Sequence, residues 1–338
     1  MAITEIPQSP QQKQYAIAEQ TTWGTAVLDN AAMEQLHCEH FEIDRDIKTF
    51  EVPQALGTRN ARDSSIITHT NGAMPKATIT AVATHDLIDY FLYGMIQNVT
   101  EGETTPFSKT FTFSSTQPDF DSSAGEFFTI VERDPASSKS TKMVDAIVQS
   151  LTLSLAEGEP LKMAAECVGR GLASVTADPS GTWTVYPVTD AWWFNALDRA
   201  TIDFGSGDVN FHLKACEFTL AQTVVPVGQD GSGSFNTYAL TERALSAKIT
   251  VIKDADFHTA LSNYAAGTAI TGNIGWGNAT PGTDDGDFDI VYRGMLNGVT
   301  KTHDDPMAAE LSVTLLEDNT GATDPITIVM ANANDRTW

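Results

Sequence analysis

The sequence predicts a mainly β protein: a β-sandwich or barrel with a flanking α-helix, with tandem duplication of that unit as one reading of its two halves. Three observations predict it. Runs of alternating apolar and polar residues recur along the chain, and a period of two buries one face of a sheet while leaving the other to water. Those runs are rich in Thr, Val, Ile and Phe, which suit a pleated, half-buried surface. Turn residues separate the runs, and helical spacing is scarce.

In chain order, residues 49–74 form a polar stretch of weak periodicity with Gly57, Arg59, Asn60 and Arg62, and they read as a long loop. Loops of that length in a compact domain are functional or disordered. Ala77-Thr78-Ile79-Thr80-Ala81-Val82 reads as a strand. Residues 85–98 read as a helix, with Leu87, Tyr90, Phe91 and Met95 in one stripe and Thr84 or Asp86 placed to cap its start. Thr110-Phe111-Thr112-Phe113 alternates, and Phe127-Phe128-Thr129-Ile130-Val131 is an aromatic strand. Leu151-Thr152-Leu153-Ser154-Leu155 alternates strictly before the turn Glu157-Gly158-Glu159-Pro160, so 148–168 reads as a long hairpin.

Past the turn Asp178-Pro179-Ser180-Gly181, Trp192-Trp193-Phe194 reads as a short helix or an aromatic plug. Phe218-Thr219-Leu220 is strand-like, and 228–234 is flexible by its Gly/Ser composition. A second helix is predicted over 256–266, with Phe257, Leu261 and Tyr264 on one side. Residues 268–289 read as a glycine- and aspartate-rich loop, 288–292 as a second aromatic strand, and 310–330 as a closing hairpin built on Leu311-Ser312-Val313-Thr314-Leu315.

Two segments half a chain apart look alike. The strand 77–82 and its helix are matched by Ala247-Lys248-Ile249-Thr250-Val251-Ile252 and the helix after it. Each leads through a Gly/Thr-rich loop to an aromatic strand and then to a long hairpin. This suggests two β units, 1–172 and 173–338; the competing reading is two β-rich halves that share only composition.

The formal charge is −24, and both halves are acidic. A protein that grips nucleic acid gains affinity through Lys and Arg contacts that release counterions, so this balance disfavours a DNA-binding role and favours solubility. No run approaches a membrane span, and residues 1–20 lack the basic-then-apolar order of a signal peptide, so a cytoplasmic origin is expected. Cys38, Cys167 and Cys216 are too few and too scattered for a disulfide framework and read as buried small apolar residues.

Site chemistry is weak. His37-Cys38-Glu39-His40 has no second ligand pair at zinc spacing. In Asp284-Asp285-Gly286-Asp287-Phe288-Asp289, an EF-hand count puts Gly286 third and Met295 twelfth, which does not fit, so a solvated acidic loop is expected. Asp86/Asp89 and Glu157/Glu159 lack the flanking geometry of a glycosidase pair. No nucleophile elbow, P-loop or zincin motif occurs. No enzyme activity, metal or cofactor is expected. Trp192 and Trp193 read as interface anchors ahead of sugar-stacking residues.

The order of these features resembles the major tail tube proteins of long-tailed bacteriophages. The opening Tyr15-Ala16-Ile17-Ala18-Glu19-Gln20-Thr21-Thr22-Trp23-Gly24-Thr25-Ala26 is similar to the start common in that family, and 144–159 is similar to the hairpin that tube proteins give to the inner sheet. The resemblance covers most of the chain, most clearly 1–172. It implies a structural protein of the virion tail, assembled in the host cytoplasm. Its self-assembled rings, trimeric or hexameric, stack axially into a conduit for genome ejection, and double-stranded DNA passes without specific binding. Tape-measure and tail terminator proteins are the implied partners; no membrane is.

On that reading the inner-sheet hairpin carries Leu151, Leu153 and Leu155, and Trp23 and Gly24 lie in the N-terminal segment. Residues 49–74, with Arg59 and Arg62, bridge rings together with 1–15, and Trp192 and Trp193 anchor an interface. The alternative is a carbohydrate-binding β-sandwich module of a tail tip or adhesin. A secreted glycoside hydrolase is disfavoured by the missing leader and motif.

Overall fold

The computed structural model describes residues 13–27, 32–45, 48–51, 66–69, 74–102, 104–113, 127–134, 139–175, 183–184, 199–203, 208–210, 212–228, 235–252, 267, 269–277, 282, 286–301, 308–317 and 323–332. The first half holds β1 (Gln14–Glu19), β2 (Glu34–Gln35), β3 (His40–Asp44), β4 (Lys48–Glu51), β5 (Ile66–His69), β6 (Lys76–Val82), α1 (His85–Ile96), β7 (Val99–Glu101), β8 (Phe107–Thr112), β9 (Phe128–Asp134), β10 (Lys139–Ala156), β11 (Lys162–Val168) and β12 (Gly171–Val175). The second holds β13 (Arg199–Asp203), β14 (Asp208–Asn210), β15 (Leu213–Val227), β16 (Thr237–Ile252), β17 (Ile270–Trp276), β18 (Phe288–Lys301), β19 (Ala308–Leu315) and β20 (Ile326–Asn332). The protein is mainly β, as the alternation predicts, and every ladder among the described strands is antiparallel.

One long strand organises each half. The N-terminal part of β10 lies between β9 and β12, in a sheet that continues through β1 to β2. Its C-terminal part lies beside β11, in a second sheet that continues through β6 to β3. The strand changes sheets at two irregularities, between Met143 and Ala146 and between Val148 and Ser150. Bulges bend a strand and sharpen its twist, and so let it turn this corner. Asp145 carries the first of them at φ 51°.

The second half repeats this pairing order. The N-terminal part of β18 lies between β17 and β20, and β17 continues through β13 to β14. Its C-terminal part lies beside β19, which continues through β16 to β15. Even a bulge recurs. Val148 and Ser150 face Cys167 and Glu166, and Leu296 and Gly298 face Val313 and Ser312 in the same way. Pairing relates 77–82 to 247–252, as the sequence suggests, but corrects other matches. The counterpart of β9 is β17, not the aromatic run at 288–292, which opens β18. Residues 310–330 are not a hairpin, because β19 and β20 ladder with different parts of β18 and not with each other. Alternation identifies a strand but not its partner, which is why the sequence misassigned them.

The two repeats meet at two ladders. β10 pairs with β15, from Ser150 opposite Ala221 to Ala156 opposite Ala215. β20 pairs with β8, which hairpins with β7 after α1. The second repeat has little room for such a hairpin, since residues 253–269 connect β16 to β17 where 83–127 connect β6 to β9. One apolar core crosses the first junction, taking Ile79, Leu153 and Met163 from one repeat and Phe218, Ile249 and Leu311 from the other.

The helix ends two residues before the predicted 98, where Gln97 turns left-handed (φ 68°) and its N–H donates to the Tyr93 carbonyl at 2.8 Å. Thr84 sits at the N-cap with extended backbone but makes no side-chain cap. All helix residues but Tyr93 are buried, so the apolar stripe understates its burial. A Cβ on Gly94 would lie 2.6 Å from the Phe128 ring and 2.7 Å from Val148, which shows how closely the helix sits on the sheet.

Two predicted loops contain strands. Residues 49–74 overlap β4 and β5, which pair as a separate ribbon, and 268–289 contain β17. One of the glycines that disguised β17 is needed there. Gly272 faces Tyr292, whose ring fills the space a side chain would take. The predicted helix 256–266 lies outside the described residues.

Candidate assembly interface

Strands β3, β6, β11, β10, β15, β16, β19 and β18 lie side by side in that order, two four-strand units joined where β10 meets β15. Strict alternation gives this sheet two unlike faces. Leu151, Leu153 and Leu155 point to the core, opposite Leu220, Phe218 and Cys216. Burying each such Leu or Phe side chain stabilises the fold by about 1.5–3 kcal/mol. Within one chain these leucines already have a strand on each side, β11 from their own repeat and β15 from the other.

The opposite face is polar. Thr152 lies across from Thr219, and Ser154 from Glu217. Lys76 and Glu166 pair at 2.8 Å, and Lys248 and Glu217 at 3.4 Å. Surface pairs of this kind contribute about 0–1 kcal/mol each, so they mark a solvated face rather than hold it. An open depression crosses the junction on this side, lined by Ser154, Glu159, Lys162, Glu217, Lys248 and Glu310.

The sheet ends in two edges. β3 ladders with β6 on one side, and among the described strands none ladders with its other side. Among the described strands, Gly298 to Lys301 of β18 ladder with β19 alone. Such edges present backbone donors and acceptors to any approaching strand.

Trp23 and Gly24 pack against their own chain. The Trp23 ring meets Phe127 at 5.2 Å and Tyr238 at 5.5 Å, both edge-on, with the Arg170 guanidinium 5.6 Å from its centre. Tyr238 belongs to β16, so Trp23 bridges the repeats. Gly24, at φ 78°, donates its N–H to both carboxylate oxygens of Asp145, at 2.8 and 3.0 Å. The buried Gln20 amide also donates to that carboxylate at 2.5 Å, and its oxygen accepts from the Asp145 N–H at 2.9 Å. Arg170 lies 3.6 Å from Asp145. Burial raises the Asp145 carboxyl above the ordinary range; the Gly24 N–H, the Gln20 amide and Arg170 pull it back.

Sequence reasoning missed Asp145, whose neighbours come together only through the fold. It also missed Lys109, whose Nζ pairs with Asp89 at 2.5 Å with both side chains buried. A lysine inside the alternating run 107–112 was the available signal. Arg59, Arg62, Trp192 and Trp193 lie outside the described residues, as do 1–12.

Asp287 and Asp289 are fully buried, which corrects the solvated-loop expectation there; Asp284 and Asp285 lie outside the described residues. Among the described residues no three His, Cys, Asp or Glu side chains converge as metal ligands, and no helix is long and apolar enough to cross a membrane. Glu157 and Glu159 sit exposed in the β10–β11 turn. Cys38, Cys167 and Cys216 are free thiols, and burial pushes those of Cys38 and Cys216 up to about 11 and about 12. No protein-family model matches the chain, and no curated protein matches it.

Proposed function

We propose that this chain is a structural subunit of a tail tube of a long-tailed bacteriophage, assembling with copies of itself into rings that stack around a passage for DNA. The observation that carries the reading is the eight-strand sheet with its internal repeat. One chain already contains, between β10 and β15, the edge-to-edge joint that a ring needs at every position. A ring contact that closes by rotation ends growth in one plane, while a head-to-tail contact along the axis continues it.

Dimensions agree with this use. Three chains supply six four-strand units, and at a spacing of ~4.8 Å per strand they close a cylinder about 37 Å across before tilt. Tilting the strands widens it further, enough for a DNA duplex. The polar face then lines the bore and the apolar face packs outward against α1 and the second sheet. With a net charge of −24, such a bore offers little to hold phosphates, since retention depends on Lys and Arg contacts.

The test is the state of the purified full-length chain. Size exclusion and negative-stain microscopy over a concentration series are expected to show rings or tubes. A chain that stays monomeric at every concentration would sink the proposal, and glycan binding by that monomer would favour a carbohydrate-binding module.

A further inference from the structure

The internal joint also specifies how one copy meets the next. Ile79 and Ile249 are equivalent, being the matched residues of β6 and β16. Ile79 faces Phe41, and Ile249 faces Cys216, so β3 corresponds to β15 with Phe41 at the place of Cys216. Ile79 also faces Ala165, and Ile249 faces Leu311. Ala165 faces Leu151, and Leu311 faces Val299. Leu151 therefore corresponds to Val299, and the shared bulge just before each fixes the alignment independently.

In this frame the joint between β10 and β15 is a template. Thr152 faces Thr219 in the internal ladder, and Leu151 and Leu153 face Leu220 and Phe218. The corresponding residues at the outer edges are Thr300 and Asp44, Val299 and Arg45, and Lys301 and Ile43. Resting on the tube reading, we infer that β3 of one copy adds antiparallel to the C-terminal part of β18 of the next, with Thr300 opposite Asp44 of that second copy of this chain.

Two features suit these edges to each other. Among the described strands, both are open ladders at opposite ends of one sheet. Val299 and Ile43 are only partly buried at the margin of the main core, where Leu151 and Phe218 are fully covered at the internal joint; a neighbouring edge would cover them. The outer joint is more polar than the inner one, as befits a surface exposed before assembly.

Disulfide trapping tests the register. Directly opposed residues bring their Cβ atoms within about 4.5–5.5 Å, within reach of a disulfide. In the full-length chain carrying Thr300→Cys and Asp44→Cys, an added copper(II) oxidant is expected to give reducible multimers on a non-reducing gel. The two sites lie at opposite ends of the sheet, so such bonds form between copies. Cross-linking should be about tenfold faster than in the slipped pair Thr300→Cys with Glu42→Cys, and each single variant should stay uncross-linked. Rings by microscopy with no preference for the paired variant would overturn this register and leave the tube reading standing. A wild-type chain that never assembles would overturn both. If the double variant does not fold, hydrogen exchange on the wild type decides: protection of amides in 43–45 and 299–301 on assembly supports the joint, and unchanged exchange there in formed rings overturns it.

Discussion

Leu153 on β10 lies directly opposite Phe218 on β15, across the joint of the two repeats, and neither side chain has exposed surface. Leu153→Asp would bury a charge without a partner, and we expect no soluble folded chain. Leu153→Ala leaves a cavity at the joint and should cost about 2–5 kcal/mol. Urea unfolding of the Ala variant measures this; a loss below about 1 kcal/mol would mean that the site collapses and the joint is loosely packed.

Gly24 is held at φ 78°, and a Cβ there would lie 2.5 Å from Arg170 Nη1. Gly24→Ala combines backbone strain with displacement of Arg170, and should lower stability by about 1–3 kcal/mol. Thermal unfolding checks it. Arg170→Ala beside Gly24→Ala should recover part of the loss, because the steric component disappears.

How far the sequence could be read follows from such residues. Leu151, Leu153 and Leu155 announce a half-buried strand by alternation alone, and strand and face both come out right. The same logic fails at β17, where Gly272 makes room for Tyr292 and the glycines erase the pattern. It fails again at β19 and β20, where two good strands look like a hairpin and are not. Asp145 is harder still: its partners Gln20, Gly24 and Arg170 are assembled by a bulge that no local pattern encodes.

Asp89 and Lys109 form a buried ion pair between α1 and β8. Lys109→Met takes the lysine away from a buried carboxylate and should cost about 3–5 kcal/mol. The double variant Lys109→Met with Asp89→Leu should regain most of that, since an apolar pair of similar size replaces the ions without a desolvation penalty. Denaturant midpoints of the single and double variants report the difference. A double variant as unstable as the single one would mean that the charges also order the helix.

Asp145 gives stability a pH dependence of definite sign. Its carboxyl titrates above the unfolded value because burial outweighs its hydrogen bonds and Arg170. The folded chain holds this proton where the unfolded chain has released it, so the contribution is full below the ordinary aspartate range and is lost as pH rises through the folded value. Asp145→Asn removes the effect. The stability of the wild type relative to that variant should fall as pH rises from the ordinary aspartate range, about 4, through the raised folded value. A relative stability that rises over this range would show that Arg170 dominates.

On the proposed tube reading, charge on the polar face governs how DNA passes. Thr78→Lys, Ser150→Lys and Ser246→Lys together add positive charge to that face without touching the core. Rings should form as before, while DNA passage slows through added phosphate contacts. Infectivity of phage carrying the triple variant is the readout, and undiminished infectivity would remove the electrostatic part of the proposal.

Among the described residues the hairpin of β7 and β8 belongs to one repeat only, so in the proposed ring the halves of a chain would be held by two ladders where neighbouring chains would share one. A ring bent or loaded from inside would part at alternate joints, always between polypeptides. Each subunit would come away with its fold whole and its edges ready to engage again. Failure under load would be a disassembly that can reverse, not a rupture.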